Sequence, residues 1–173
     1  RMPIRSWRTP AVMSVKNKGS ATPLRQASVL VLALLAILWV TFRIGITSSA
    51  AGDTAALSAN DRSRWCTVAA LVHHGTYEID ELVIRTDPVT KKRTRDKKWY
   101  TIDMVRHKGA DGREHYYSSK PTLLPTLLAG EYWVLHKLTG WDIRDNPLLV
   151  IRSVLLLTNL PLFLLLVATF PDL

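Results

Sequence analysis

Apolar positions along the chain gather into two blocks, Ala27 to Ile46 and Leu148 to Phe170, and each block carries one charge, Arg43 in the first and Arg152 in the second. A helix of about 20 apolar residues crosses a hydrocarbon layer of roughly 30 Å with every backbone group bonded internally. The pattern therefore predicts a mainly α membrane protein with two transmembrane helices, 27–46 and 148–170, flanking a loop domain, 47–147. Asn159 and Pro161 in the second block point to packing against other helices as well as lipid. A cleaved secretory signal competes for the first block, because its uninterrupted apolar core runs only from Val29 to Phe42 and Ser48-Ser49-Ala50 resembles a cleavage site.

Between the blocks the periodicity changes twice. Ser58 and Asp61 stand at capping-box spacing, Trp65, Val68, Ala69 and Val72 recur at helical spacing, and Gly75 follows as a stop. This predicts a short amphipathic helix on the membrane surface, with Asp61 in its first turn on the same face as Trp65. The runs Glu81–Arg85, Trp99–Val105 and His115–Ser118 are β-prone, and Asp87-Pro88 and Lys108–Gly112 supply turns between them. They predict a small hairpin or meander with the basic run Lys91–Lys98 as a solvated turn at its tip. Pro121 then opens a second surface helix, with Ser119 near the cap; Leu123, Leu127, Leu128, Tyr132 and Leu135 line one face, and Gly140 ends it. The expected fold is two spans around an extracytoplasmic α+β loop domain with two surface helices.

The net charge of +9 suggests a nucleic-acid partner until its distribution is read. Residues 1–26 hold six Lys/Arg and no acid, and a basic tail before a first span stays in the cytoplasm. The tail has no apolar periodicity and is expected to be disordered. The loop 47–147 balances 15 Lys/Arg against 13 Asp/Glu, so the excess reports topology and leaves no nucleic-acid surface. The expected location is a bacterial inner or plasma membrane with the loop outside. Cys66 is the only cysteine, which excludes an internal disulfide. His73 and His74 are adjacent and diverge by about 100° on a helix, so no metal site is expected. Nor does the chain carry a Gly-rich phosphate loop or a hydrolase triad signature.

The order of a basic tail, a first span, Asn60-Asp61-Arg62-Ser63-Arg64-Trp65, His74-Gly75-Thr76-Tyr77-Glu78-Ile79-Asp80, Ile102-Asp103, Tyr117-Ser118-Ser119-Lys120-Pro121 and Gly130-Glu131-Tyr132-Trp133 resembles the N-terminal part of GT-C membrane glycosyltransferases. The similarity is to the protein-mannosyltransferase and aminoarabinose-transferase type, which uses polyprenyl-phosphate sugars, and it covers about residues 27–170. The resemblance implies sugar transfer from a lipid-linked donor to an acceptor hydroxyl on the outer face of the membrane. A hydroxyl needs a base near neutral pH, and the departing lipid phosphate needs cations. By the resemblance Asp61 is the catalytic base and Lys120 the phosphate ligand, with Arg62, Tyr117 and Asp103 as further substrate-binding candidates. No cofactor is implied, and a divalent ion is left open. Such enzymes need many spans to form the donor cavity, so the chain is expected to be an N-terminal fragment that depends on downstream helices and is inactive alone. The residue 171–173 end then reads as a truncation. Two rival readings are a two-span envelope protein with a non-catalytic binding or scaffolding domain, and an exported protein with a C-terminal anchor. In the first, Asp61 and Lys120 are ordinary surface charges.

Overall fold

The computed structural model describes residues 23–169. The expected tail falls almost wholly outside that range, as does the residue 171–173 end. In order the elements are α1 (Pro23–Ile46), α2 (Ala59–His74), α3 (Asp80–Val83), β1 (Ile84–Thr86), β2 (Arg93–Arg95), β3 (Met104–Lys108), β4 (Glu114–Ser118), α4 (Leu123–Thr139) and α5 (Pro147–Thr169). The fold is helical with two small antiparallel sheets. Two of its helices are long and apolar enough to cross a membrane, Ala27–Ile46 with mean hydropathy 2.5 and Pro147–Thr169 with 2.2.

The helix α2 begins and ends as its sequence predicts. Ser58 is extended, its hydroxyl accepts from the Asp61 amide, and the Asp61 carboxylate accepts from the Ser58 amide, so two opening donors are satisfied reciprocally. Gly75 closes the helix at φ 67°, a left-handed conformation open to glycine without a Cβ penalty. The expected surface position is corrected. Every residue from Trp65 to Ala70 is buried, and α2 is the central helix of the domain. The small side chains of Cys66, Thr67, Ala69 and Ala70 let α3, α4 and β4 approach it from several sides. Its core partners include Ile79, Val83, Tyr132 and Ile143.

The β segments form two separate two-stranded ladders rather than a meander. In the first, Ile84 pairs with Arg95 and Thr86 with Arg93, so the basic run expected as a turn supplies a strand. Lys91 takes φ 56° in the connection. Most of the expected strand Glu81–Arg85 is the short helix α3, and the strand starts only at Ile84. The second expected run, Trp99–Val105, also starts late, at Met104. Trp99 and Thr101 are buried ahead of it, because Asp96 accepts from the Lys98 and Trp99 amides and forms a turn, and Thr101 donates to the Ala59 carbonyl at 2.8 Å. β3 and β4 pair from Met104–Ser118 to Lys108–Glu114.

The helix α4 starts at Leu123 with Thr122 at the cap position, two residues beyond Pro121, and Ser119 does not cap it. Its expected single apolar face is divided. Leu128 and Tyr132 are buried in the core, whereas Leu123, Leu127, Trp133 and Leu138 are exposed on the other side. The helix α5 is divided along its length. Val150, Ile151 and Val154 are fully buried in the same core as α2, and Leu157, Leu162, Leu164 and Leu165 are exposed. Arg152 Nη2 donates to the Thr47 carbonyl at 2.9 Å, which ties the second turn of α5 to the end of α1. Farther along, Thr158 donates to Glu131 Oε2 of α4 at 2.7 Å.

Candidate functional site

The segment before β3, the end of β4 and the first turns of α2 meet at one place. Ala59 accepts from Thr101, and Ser63, one turn further along α2, reaches the Asp103 carbonyl and lies 2.6 Å from the Ser118 hydroxyl. The Ser119 amide donates to the same Asp103 carbonyl at 3.2 Å. Strand alternation orients Ser118 toward Ser63, and the chain turns directly afterwards into Lys120, whose amide donates to Ser118 Oγ. Lys120 Nζ lies 3.1 Å from Asp103 Oδ1, with both side chains about three-quarters buried.

Two of the residues singled out in the sequence, Asp103 and Lys120, are therefore brought together as an ion pair, whereas Asp61 belongs to the same end of α2 but, two residues from Ser63, stands on a different side of that helix. No ion pair joins Asp61 to Lys120 among the described residues. One oxygen of Asp61 is committed to the cap, accepting from the Ser58 amide at 3.1 Å and from the Ser58 hydroxyl at 2.8 Å. The other oxygen has no partner among the described residues. Lys120 precedes α4, whose opening amides have no side-chain cap, so the cation and the positive end of a helix dipole lie close together. Arg62 is half-buried, and its Nε is buried without a hydrogen-bond partner. It lies close enough to Cys66 to offset part of the burial and the Asp96 charge that raise that thiol's pKa.

Tyr117 lies elsewhere. Alternation along β4 turns it to the opposite face from Ser118, where its hydroxyl donates to Glu78 Oε1 at 3.0 Å. Burial, and then the Glu78 contact, push its pKa up. On that face His115 has carboxylates at both ring nitrogens, Asp80 Oδ2 at 3.1 Å from Nδ1 and Asp111 Oδ1 at 3.1 Å from Nε2. The Asp111 hydrogen bond is the chief reason that its pKa is raised.

A second polar knot closes the far end of α2. The Ile143 amide donates to Tyr132 Oη at 2.9 Å, and the same hydroxyl lies 3.1 Å from His73 Nε2, to which it can donate. His136 Nδ1 donates to the Trp141 carbonyl at 2.9 Å. Burial lowers the pKa of His73 and pushes Tyr132 up to about 12. Sequence reasoning marked His73 only as half of an adjacent pair and missed this knot, as it missed Ser63 and Ser118. Those residues carry no local motif, and only the tertiary approach of α2 to α4 and β4 gives them partners. Among the described residues no group of three or more His, Cys, Asp or Glu side chains is arranged to hold a metal ion.

The chain matches no protein-family model, no curated protein and no solved structure.

Proposed function

We propose that the chain is the N-terminal part of an integral membrane glycosyltransferase that moves a sugar from a polyprenyl-phosphate donor to an acceptor hydroxyl on the outer face of a bacterial inner or plasma membrane. In this reading α1 and α5 cross the bilayer, the N-terminus is cytoplasmic, and downstream helices complete the donor cavity. One observation carries it. The Asp103–Lys120 pair, on which the donor-phosphate role rests, is fastened to the opening turns of α2 through Thr101, Ser63 and Ser118, and Asp61 caps that same end of the helix from a different side. Asp61 retains one carboxylate oxygen outside its cap, which a base requires. Lys120 at rest is neutralised by Asp103, and a donor phosphate would compete for it beside the uncapped amides of α4.

The geometry of the apolar helices supports a bilayer boundary near Thr47 and Arg152. From Arg152 to Thr169 the helix α5 extends for about 25 Å, close to a hydrocarbon thickness. Glu131 meets α5 at Thr158, farther along the helix than Arg152, and in this reading the exposed Leu127 and Leu138, near Glu131 on α4, contact the outer leaflet.

The decisive experiment separates capping from catalysis in the full-length enzyme. Ser58→Ala and Asp61→Asn each weaken the capping box and lower stability by about 1 kcal/mol. Only Asp61→Asn should also reduce transfer from a polyprenyl-phosphate donor, by about 10²- to 10⁴-fold, the range of a general base. Equal transfer rates in the two variants would sink the base assignment. Lys120→Ala should raise KM for the lipid donor, and an unchanged KM would remove its phosphate role. A non-catalytic two-span envelope module is the second reading, favoured by the structural use already made of Asp61 in the cap and of Lys120 in its ion pair. It predicts that both variants lose stability alone.

A further inference from the structure

On the side of the domain bounded by the first hairpin there is a groove of about 840 Å³ that includes neither Asp61, Asp103 nor Lys120 in its lining. Five cationic side chains line it: Arg85, Arg95, Lys97, Lys98 and Arg144. Four carboxylates share the groove, one fewer than the cations; Glu81 is ion-paired, while Asp53 and Asp96 are oriented by hydrogen bonds that keep their charge, and Asp145 is the fourth. Asp96 accepts from the Lys98 and Trp99 amides, Glu81 lies 2.9 Å from His74 and 3.4 Å from Arg144, and Asp53 accepts from the Ser49 hydroxyl at 2.8 Å. Among the described residues Arg85, Lys97 and Lys98 form no ion pair. Arg95 is held with its guanidinium 4.5 Å over the Tyr100 ring, which fixes the fork before any ligand arrives.

The groove also has a definite place in the chain. Asp53 follows soon after α1, and Arg144 and Asp145 immediately precede α5, so its wall joins the ends of both apolar helices. A concave surface concentrates the field of its cations more than a flat one does. We propose that this groove is an anion site for a phosphate-bearing group, either a lipid headgroup or a free phosphorylated small molecule. Phosphate chemistry fits because three unpaired cations and a pre-oriented guanidinium offer several charge-assisted donors to one compact anion. The binding step needs no crossing of the bilayer, so it stands apart from the glycosyltransferase reading.

The test uses the full chain. Pyrophosphate binding is measured calorimetrically in detergent, and lipid retention is measured by native mass spectrometry from phosphatidylcholine nanodiscs with and without phosphatidylglycerol. The groove variant is Arg85→Gln/Lys97→Gln/Lys98→Gln. The control, Lys91→Gln/Lys92→Gln/Arg93→Gln, removes the same charge from the neighbouring turn and the first residue of β2, outside the groove lining. The wild type and the control should bind alike, and the groove variant should bind about tenfold more weakly. Phosphatidylglycerol enrichment with that dependence assigns the site to a headgroup, and pyrophosphate binding without enrichment assigns it to a soluble compound. Equal weakening by the control, or no binding of either probe to the wild type, overturns the proposal.

Discussion

His73 and His115 occupy opposite surroundings, and their protons act on stability with opposite sign. His73 is held below its ordinary 6.5 by burial against Tyr132, so the unfolded chain binds the proton more readily. Its contribution is complete above pH 6.5 and is lost as the pH falls below that value. His115, raised from 6.5 by hydrogen bonds to Asp111 and Asp80, contributes fully below pH 6.5, and that contribution is lost as the pH rises through its higher native value. Thermal melts of the purified chain between about pH 5 and pH 8 should therefore lose their acid limb in His73→Asn and their alkaline limb in His115→Asn. Swapped limbs, or unchanged profiles, would contradict the two environments. Neither environment was legible in the sequence, since Asp80 and Asp111 approach His115 only after α3 and the β3–β4 turn have formed. The capping box was legible because its partners, Ser58 and Asp61, are three residues apart and answer to local backbone geometry alone.

Among the elements, those with a strong local signal match their sequence pattern, and those without one depart from it. Gly75 and Gly140 end α2 and α4 where a left-handed residue was expected. β2 could not be read from Arg93-Thr94-Arg95, which has no apolar alternation, and its pairing with β1 comes from the turn at Asp87, which accepts from the Val89 and Thr90 amides. For α2 the helix was clear but the number of covered faces was not, because small residues look alike on a surface and in a core. The division of α5 gives the element its sharpest expectation. Ile151→Ala opens a cavity in the domain core and should cost about 2–5 kcal/mol in detergent, whereas Leu164→Ala on the exposed half should cost far less. Equal costs from urea titrations would contradict the division. Tyr132→Phe strands the Ile143 amide and should cost about 1–3 kcal/mol, read in the same titrations.

For the whole molecule, the two apolar blocks and the loop between them were plain in the sequence, because length and hydropathy need no tertiary contact to be read. The convergence of Lys120 with the start of α2 was not, since it depends on pairings 40 and 55 residues apart, Ser63 with Asp103 and with Ser118. The proposed orientation can be tested with the single cysteine as an internal blank. Cys66 is fully buried with its thiol pKa pushed up, so it should not react with a maleimide in intact cells. Lys92→Cys on the exposed hairpin should be labelled by a membrane-impermeant reagent from outside, and labelling only after lysis would reverse the topology. The two-part helix α5 has a further consequence for biosynthesis. Val150, Ile151 and Val154 complete a core whose other walls are translated earlier, from Ala55 through Ile143. In the proposed topology, the growing external domain would reach the translocation channel with its hydrophobic centre still open, and it would close only as this helix moved sideways into lipid. Under that topology, release from the channel and final folding would be one event, and a chaperone that shields the unfinished centre would act in that interval.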